Sequence, residues 1–436
     1  MKIDKIKKNI LKFDLERIKF LCDKIGITYD KHDNKSGLIS KILTPFKKTN
    51  QIQNDFSKVL LFSSEAMNGL VNDIMKDNVY KKYIKRGIIT KSSKNKLNEY
   101  GPANCHNNIK NKYADFDDGW PDLYICNHEE IKNHHVVYLA SITNTTDLFE
   151  QIAVIRSIVK YRAKSLKVIL PYLPVGTMER ISNPGEIVTA DTFIQILSNS
   201  IPITSSGPVT FSIIDIHALQ EQFYFSDNVL VELKSAIPLL KNKLIPYVKK
   251  GKTIIIVFPD DGAYKRYKNK FNEYATIVCG KVRVGDERIV RIMEINKKDG
   301  KDIDINDKNN IFVIVDDLTQ SGGTLKNCAV ALREDSKIGG PNGISDIYTF
   351  VTHPVFPKLD KVVDKFKDNV VTKFFITDTI PTKSMAIQRL KNSKFEILSI
   401  INIVMYLICD NLDFIHVIKN KIIKETYPNF INDMES

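Results

Sequence analysis

Short runs of apolar residues alternate with longer amphipathic segments along the first half of the chain. Each run has the length and the Val, Ile and Leu content of a strand buried on both faces. The predicted strands are 58–63, 135–139, 166–170 and 211–214. Apolar residues recur at helical spacing from Glu65 onward and over 149–163 and 191–197. Strands that alternate with helices predict a parallel sheet with helices on both faces.

The same alternation returns in the second half of the chain. The predicted strands here are 253–258, 276–278, 311–315, 347–351 and 373–376. The charge-mixed stretch 297–310 is predicted to be an exposed loop, and 401–409 is predicted to be an apolar helix that packs across a domain junction. The pattern therefore predicts two α/β domains in tandem, at 58–230 and 231–410, followed by a tail at 411–436.

Residues 1–57 are predicted to be a basic helical extension. Two helical patterns, over 15–25 and 38–43, flank a turn rich in Asp, Asn and Gly. Residues 1–50 hold 13 Lys and Arg against 6 Asp and Glu, so they carry +7 of the net charge of +13. A basic segment suits an anionic partner, and this arrangement faintly resembles the SAP-type nucleic-acid-binding module. Two plainer interpretations stay open: biased composition, and a helical extension that packs on the body or on another subunit.

Composition is that of an ordinary globular protein, with 43% hydrophobic and 26% charged residues. No run of 18 apolar residues occurs, so no membrane span is expected. None of the six cysteines forms a CxxC pair, which predicts neither a zinc site nor a disulfide framework and fits a reducing compartment. The N-terminus lacks the apolar core of a secretory signal. A cytoplasmic location is predicted, with import into an organelle left open.

The most informative stretch is IFVIVDDLTQSGGTL, which begins at Ile311. Its apolar run predicts a strand, and Asp316 and Asp317 follow at the carboxyl end, where open α/β sheets bind ligands. Paired carboxylates can accept hydrogen bonds from ribose hydroxyls, or bind magnesium directly or through its waters. An ordinary strand–loop–helix connection with an Asp at the helix cap is the alternative.

The loop after these acids has the composition of an anion site. Gly322 and Gly323 let the backbone curl so that successive N–H groups point inward and hold a phosphate. Ser321 and Thr324 add hydroxyl donors, and the helix that Thr324 opens adds favourable electrostatics for an anion. The sequence therefore predicts a phosphate-binding loop from Thr319 to Thr324.

Two other strand ends carry candidate metal ligands. In FSIIDIHALQEQFYF, His217 follows an apolar strand and offers a neutral imidazole. In VFPDDGAYKR, Asp260 follows the strand at 253–258. The plainer alternatives are a structural histidine, and a turn acid beside a solvated Lys265–Arg266 pair.

A basic pair lies in the segment CGKVRVGDERIVRI. Lys281 and Arg283 are two residues apart, so they share one face of an extended segment. A flexible cationic arm suits phosphoryl-type transfer, in which positioning and charge stabilisation dominate. A basic β-hairpin exposed to solvent is the alternative.

Together these motifs resemble a known family. VDDLTQSGGTL resembles the signature for binding phosphoribosyl pyrophosphate (PRPP) that type I phosphoribosyltransferases and PRPP synthetases share. DIHALQEQFYF, PDDGAYKR and KVRVGDERIVRI resemble motifs of the PRPP synthetases, or ribose-phosphate pyrophosphokinases. These four stretches, together with LPYLPVGTMER, FDDGWPD, VTHPVFP and FFITDTIP, most resemble the plant-type, phosphate-independent class. The resemblance covers 58–410 and implies an α/β fold of two tandem type I phosphoribosyltransferase-like domains, each a parallel sheet flanked by helices.

The resemblance also implies a reaction and its site. The diphosphoryl group of MgATP would move to the C1 hydroxyl of ribose 5-phosphate, giving PRPP and AMP for nucleotide biosynthesis. Lys281 and Arg283 would be catalytic, on a mobile loop that closes over ATP, while His217 and Asp260 would bind Mg²⁺. The implied ATP-binding residues are Phe116, Asp118, Arg180 and His217. The implied residues for ribose 5-phosphate and PRPP are Asp316, Asp317, Ser321, Gly322, Gly323 and Thr324.

Two departures from the family pattern accompany the resemblance. Thr177 to Arg180 stand where most bacterial and animal members have an Arg-Gln-Asp-Lys-like cluster, so an arginine contact to ATP is lost unless Arg180 supplies it. Trp120 stands in place of the Glu of a Phe-x-Asp-Gly-Glu motif. Three other functions stay open: a catalytically silent regulatory subunit of the same family, a phosphoribosyltransferase that consumes PRPP, and a nucleic-acid-binding protein. The family also implies a homo-oligomer.

Overall fold

A computed structural model describes residues 14–16, 18–19, 28, 34–39, 58–91, 115–284, 287–296, 304–335, 338, 346–390, 392, 394–410 and 415–435. The chain divides into two compact units, residues 1–58 and residues 59–436. In the first unit the described residues are helical at 15–16, 18–19 and 35–39, and the prediction of a helical extension over 1–57 stays a prediction. Ile18, Leu38 and Ile39 are buried there.

The first sheet of the larger unit has six strands, all paired in parallel. They are β1 (Val59–Ser63), β2 (Ile84–Arg86), β5 (His135–Leu139), β6 (Ser165–Leu170), β7 (Val209–Ile214) and β8 (Val229–Lys234), in the order β2-β1-β5-β6-β7-β8. The boundary predicted after residue 230 falls inside β8. That edge strand is half-buried and carries Glu232 and Lys234, so it lacks the continuous apolar run of the others.

Helices cover both faces of the first sheet. They are α1 (Asn68–Lys76), α2 (Thr145–Lys160) and α3 (Thr189–Asn199), with short 3₁₀ turns at 65–67, 80–82, 128–131, 176–178 and 219–224. A small antiparallel pair, β3 (Ile89–Lys91) and β4 (Leu123–Ile125), stands beside the sheet. Asn144 begins α2 by accepting a hydrogen bond from the Asp147 N–H at 2.9 Å, which satisfies one of the free donors of the first turn.

The second sheet has seven strands, in the order β11-β10-β9-β12-β13-β14-β15. They are β9 (Thr253–Phe258), β10 (Ala275–Val284), β11 (Glu287–Asn296), β12 (Asn310–Thr319), β13 (Asp346–Pro354), β14 (Lys373–Thr377) and β15 (Phe395–Leu398). Every pair is parallel except β10 and β11, which form an antiparallel hairpin. The helices are α4 (Ile237–Lys249), α5 (Asp261–Tyr267), α6 (Gly323–Glu334), α7 (Leu359–Lys365) and α8 (Pro381–Arg389).

The predicted strands of both halves are present, and most are longer than their apolar runs. The predicted exposed loop at 297–310 is confirmed for its described part, since 304–309 contain turns and lie mostly exposed, whereas Asn310 is buried at the start of β12. The predicted apolar helix is α9 (Ile401–Cys409).

One apolar cluster joins the two sheets. It includes Leu61 and Ile214 from the first sheet, Val313 from the second, and most of α9. The predicted tail adds two more helices, α10 (Ile415–Glu425) and α11 (Phe430–Glu435), whose apolar side chains enter the same cluster. The 58–230 and 231–410 segments therefore share a buried core. Among the described helices, none is both long and apolar enough to cross a membrane.

Candidate active site

Three strand ends supply the candidate site, and they come from both sheets. β7 leads into Asp215 and His217, β9 leads into Asp260, and β12 carries Asp316 and Asp317 near its carboxyl end. The carboxyl ends of parallel strands open onto one edge of a sheet, where the helices that follow leave a crevice. The site therefore depends on how these two edges meet.

A hydrogen bond between His217 and Asp317 connects the two edges. The imidazole Nδ1 lies 2.7 Å from the Asp317 Oδ2, across 100 residues of sequence. This bond raises the pKa of His217 above its usual value, against the opposing effect of burial. Asp317 is 3% exposed, so its charge is held in a nearly dry environment. The predicted metal ligand and the predicted ribose-binding acid are thus direct partners.

Arg266 is the second partner of Asp317, and the sequence analysis gave it no place in the site. Its guanidinium Nη1 lies 2.6 Å from the Asp317 Oδ1, and its side chain is only 16% exposed. Burial acts to raise the pKa of Asp317, but the His217 hydrogen bond and the Arg266 charge hold it below its usual value. The alternative predicted a solvated Lys265–Arg266 pair. Lys265 is solvated and pairs with Asp261 at the surface, whereas Arg266 is buried.

Asp316 and Asp260 form an acidic pair beside this network. The Asp316 Oδ1 accepts the Asp317 N–H at 3.0 Å, and the Asp260 Oδ1 caps α5 by accepting the Ala263 N–H at 3.1 Å. Burial, followed by the charges of Asp317 and Asp260, raises the pKa of Asp316 well above its usual value. A divalent cation would relieve this concentration of negative charge.

The donor set fits Mg²⁺ better than a metal that needs a full protein cage. Among the residues that the structure describes, no three His, Cys, Asp or Glu side chains lie close enough to hold an ion by themselves. Mg²⁺ usually keeps several waters and binds through one or two carboxylates together with substrate phosphates. Asp260 after β9 and His217 after β7 would supply such a partial set of ligands, which substrate phosphates and water would complete.

The predicted phosphate loop turns sharply at Gly322. This glycine has a φ of +70° and donates its N–H to the Thr319 Oγ1 at 3.0 Å. The next N–H, of Gly323, points to the Ser321 Oγ at 3.3 Å, and the Lys365 ammonium donates to the Ser321 carbonyl at 2.8 Å. Helix α6 begins at Gly323, so its free N–H groups and its dipole face the loop.

The predicted catalytic cations lie on the hairpin at the edge of the second sheet. Lys281 pairs with Val290 and Arg283 pairs with Arg288 across the β10–β11 ladder. Their side chains lie outside the described residues. The backbone is extended, as the shared-face prediction requires, and it is also the hairpin of the plainer alternative.

The predicted adenine-binding residues lie on an exposed turn of the first sheet's segment. The Gly119 N–H donates to the Phe116 carbonyl at 2.8 Å, and the Trp120 N–H donates to the Asp118 Oδ1 at 3.3 Å. Trp120 packs edge-on against Phe149, with ring centroids 4.9 Å apart. The placement of ATP on Phe116 and Asp118 stays a prediction.

Arg180 is exposed, at the end of the segment that departs from the family pattern. Its side chain is 77% exposed and its Nε lies 3.5 Å from the Glu179 Oε1. Gly176, which directly precedes this segment, packs closely against two residues of the site. A Cβ added to it would lie 3.1 Å from the Glu221 Oε1 and 3.1 Å from the His217 Cβ. The Arg180 side chain thus lies on the surface, and its contact with ATP stays a prediction.

Glu221 is a buried acid below His217 that the sequence analysis did not identify. It is 0% exposed, and its Oε2 accepts the Ala218 N–H at 3.3 Å. Its Oε1 has no hydrogen-bond partner within the part of the chain that the structure describes. Burial raises the pKa of the Glu221 carboxyl to about 7. Its position in the QEQ stretch gave no signal of burial, since three consecutive polar residues predict exposure.

A Glu221→Gln variant should change how the free energy of unfolding depends on pH. Because the folded pKa is raised to about 7 from an ordinary 4.5, the folded state binds more protons than the unfolded state over that window. As the pH rises from the ordinary pKa to the raised one, the free energy of unfolding of the wild type should fall by about 2–3 kcal/mol. The variant should show no such fall. Denaturant titrations of both proteins from pH 4 to 8 measure the difference, in which any constant effect of the amide cancels.

The exposed carboxylate Glu186 provides the control for this measurement. Hydrogen bonds from Asn183 and Ser182 lower its pKa, so its contribution changes only at more acidic pH. Glu186→Gln should therefore leave the slope between pH 5 and 7 unchanged. A difference between wild type and Glu221→Gln that stays constant over that range would show that the carboxyl is ionised in the folded state.

Comparisons with known proteins agree with this architecture. No protein-family model matches the chain. It is 41% identical over 293 residues to ribose-phosphate pyrophosphokinase 3, mitochondrial, of Spinacia oleracea, a match that covers 65% of this chain and 66% of that protein. It is 40% identical over 294 residues to ribose-phosphate pyrophosphokinase 4 of Arabidopsis thaliana, covering 66% of this chain and 80% of that protein.

A solved structure supports the fold. The crystal structure of phosphoribosylpyrophosphate synthetase from Mycobacterium smegmatis superposes with a TM-score of 0.58 at 18% identity, over 80% of this chain and 97% of that chain. The similarity confirms the predicted α/β fold with two parallel sheets and flanking helices. Together with the identity to the Arabidopsis protein over four fifths of its length, it leads to one conclusion: the chain belongs to the ribose-phosphate pyrophosphokinase family.

Proposed function

We propose that this protein transfers the β,γ-diphosphoryl group of MgATP to the C1 hydroxyl of ribose 5-phosphate, with AMP as the second product. The observation that carries the proposal is the His217–Asp317 hydrogen bond of 2.7 Å. It brings the candidate nucleotide side of the site, on the first sheet, against the candidate ribose side, on the second. Two substrates held across one crevice react at a high effective concentration, which supplies much of the rate.

Ribose 5-phosphate fits the strand end and loop from Asp316 to Thr324. Its 5-phosphate would lie in the Ser321–Thr324 loop, where Gly322 turns the backbone and α6 begins. Its ribose hydroxyls would donate to Asp316, the acid of the pair that is not held by Arg266. The C1 hydroxyl oxygen then forms its bond to the β-phosphorus and loses its proton to water, while the bond from that phosphorus to the AMP oxygen breaks and AMP leaves with the electron pair.

His217 and Asp260 are the residues proposed to hold Mg²⁺. The ion would neutralise charge on the transferring diphosphoryl group. Because Asp317 engages the His217 Nδ1, the Nε2 is the nitrogen left for a ligand. Lys281 and Arg283 on the β10–β11 hairpin would stabilise the remaining charge when the hairpin approaches the substrates.

The direct test is an assay of AMP release from ATP, Mg²⁺ and ribose 5-phosphate, with and without inorganic phosphate. Release that requires all three, with PRPP formed in equal amount, is the expected result. No release by the folded protein would favour the silent regulatory subunit, for which the Thr177–Arg180 departure is the main support. Consumption of added PRPP with a free base would favour a phosphoribosyltransferase.

Assembly, location and a nucleic-acid partner are three further proposals. A homo-oligomer is proposed from family membership, and light scattering tests it. A cytoplasmic location is proposed although the Spinacia relative carries the word mitochondrial in its name. Nucleic-acid binding by residues 1–50 stays a prediction, tested by whether affinity falls steeply with salt and disappears when the segment is deleted.

Gly322→Ala should weaken ribose 5-phosphate binding. The backbone there has a φ of +70°, and an added Cβ would lie 2.6 Å from the Phe366 ring. Alanine would cost about 1–3 kcal/mol through backbone strain and would also push the loop away from Phe366. We expect KM for ribose 5-phosphate to rise roughly tenfold or more, with KM for ATP little changed.

Gly251→Ala is the matched control for that strain. Gly251 has a φ of +79° but no atom within 4 Å of an added Cβ. It should lose similar stability without any change in KM. Equal effects of the two substitutions on KM would show that the loop does not contact the substrate.

A further inference from the structure

Asp215 lies two residues before His217, yet its surroundings are those of a structural clamp. It is 6% exposed and has a φ of +42°, which a residue with a Cβ rarely adopts. Strained residues of this kind persist only where neighbouring groups fix them, and they concentrate at functional sites. The groups that fix Asp215 therefore show what its conformation serves.

Three hydrogen bonds occupy the Asp215 carboxylate. The Ser235 hydroxyl donates to Oδ1 at 2.7 Å, and the Ala236 N–H donates to Oδ2 at 2.8 Å. The third donor comes from the other sheet: the Thr352 Oγ1, on β13, lies 2.6 Å from Oδ2. Both carboxylate oxygens are therefore satisfied by the protein, which leaves Asp215 poorly suited to bind a metal.

His353 holds the backbone of the same turn. Its Nε2 lies 3.0 Å from the Ile214 carbonyl and 3.2 Å from the Asp215 carbonyl, so this nitrogen must carry the hydrogen. Its Nδ1 then accepts from the Thr379 hydroxyl at 3.0 Å. Complete burial lowers the pKa of His353, which agrees with a neutral ring in this tautomer.

The register of the second sheet shows how the clamp relates to the site. Asp316 pairs with Val351 and Leu318 pairs with His353, so Asp317 and Thr352 are neighbours on adjacent strands. Asp317 binds His217, and Thr352 binds Asp215. Two adjacent strand ends of the second sheet thus hold the two ends of the three-residue turn 215–217.

We propose that Asp215, Thr352 and His353 form a positioning lock that fixes the His217 imidazole against Asp317 and so aligns the nucleotide side of the site with the ribose side. The proposal rests on the proposed function and deepens it. The lock touches no substrate. Its loss should therefore lower kcat, through misalignment of groups that still bind their substrates, and should leave KM nearly unchanged.

Thr352→Val tests the lock with little change in volume. It removes one hydroxyl donor from a buried carboxylate, and we expect kcat for AMP release to fall roughly 10- to 100-fold. KM for ATP and for ribose 5-phosphate should stay within about twofold. Thr352→Ser restores the hydroxyl and should recover most of kcat. Thr349→Val is the matched control, since Thr349 is buried on the same strand and its hydroxyl has no partner within the described part of the chain.

A second readout separates the lock from the proposed function. In ¹H–¹⁵N NMR spectra of the histidines, Thr352→Val should speed the exchange of the His217 Nδ1 hydrogen with water, because the bond to Asp317 loosens, while Thr349→Val should not. The NMR measurement does not require enzyme activity. It therefore still tests the lock if the wild type releases no AMP and the proposed function fails. Normal kcat together with unchanged exchange of the His217 Nδ1 hydrogen in Thr352→Val would overturn the lock. So would equal losses of kcat in Thr352→Val and Thr349→Val.

Discussion

Asp317→Asn should reduce kcat/KM for AMP release by roughly 100- to 1000-fold. The substitution keeps the shape of the side chain but removes the charge that both His217 and Arg266 face, at 2.7 and 2.6 Å. Arg266 would stay buried, since its side chain is only 16% exposed, but it would lose the carboxylate charge that it pairs with. The guanidinium would then form an ion pair with Asp316 or with a substrate phosphate. Either new pair would displace the residues that are proposed to bind ribose 5-phosphate.

Steady-state kinetics of the variant and its melting temperature test this expectation together. Asp261→Asn is the matched control, since Asp261 is the first residue of the helix that Asp260 caps, but it is 68% exposed and pairs with the solvated Lys265. It should retain nearly normal kcat/KM. Activity of Asp317→Asn within threefold of the wild type would mean that the buried network is structural and that the chemistry lies elsewhere.

The sequence predicted the strands best where burial on both faces gives a continuous apolar run. β9 matches its predicted range, 253–258, and β7 and β12 extend theirs by a few residues. The acids that follow such runs could be assigned to one edge of each sheet, because parallel strands all end on the same side. Edge strands escaped prediction: β8 is half-buried, and Glu232 and Lys234 interrupt its apolar run.

The contacts between the two sheets could not be predicted from local pattern. The His217–Asp317 bond spans 100 residues, and the Asp215–Thr352 bond spans 137. Arg266 and Lys265 are adjacent and chemically alike, but only Arg266 points into the junction. Glu221 and Thr352 lie in the stretches DIHALQEQFYF and VTHPVFP, but neither stretch indicates that these two side chains are buried beside the site. Their roles follow from how the sheets pack, which depends on the shared core beneath them.

Lys281→Ala should lower kcat by roughly 1000-fold while ribose 5-phosphate still binds. The lysine lies on the β10 strand of the hairpin, whereas the proposed phosphate loop follows β12, so the two functions belong to different elements. Charge that develops on the transferring group needs a cation only in the transition state, and its loss therefore falls on kcat. Calorimetric titration with ribose 5-phosphate should give the wild-type affinity.

Two further substitutions show whether charge or position matters at Lys281. Lys281→Arg keeps the charge and should recover part of kcat, though not all of it, since the guanidinium is planar and its donors are fixed. Lys249→Ala removes an exposed lysine at the end of α4 and should change nothing. Turnover of Lys281→Ala within a few-fold of the wild type would make the hairpin a passive edge of the second sheet, and the charge stabilisation would have to come from Arg266 and the loop at 319–324.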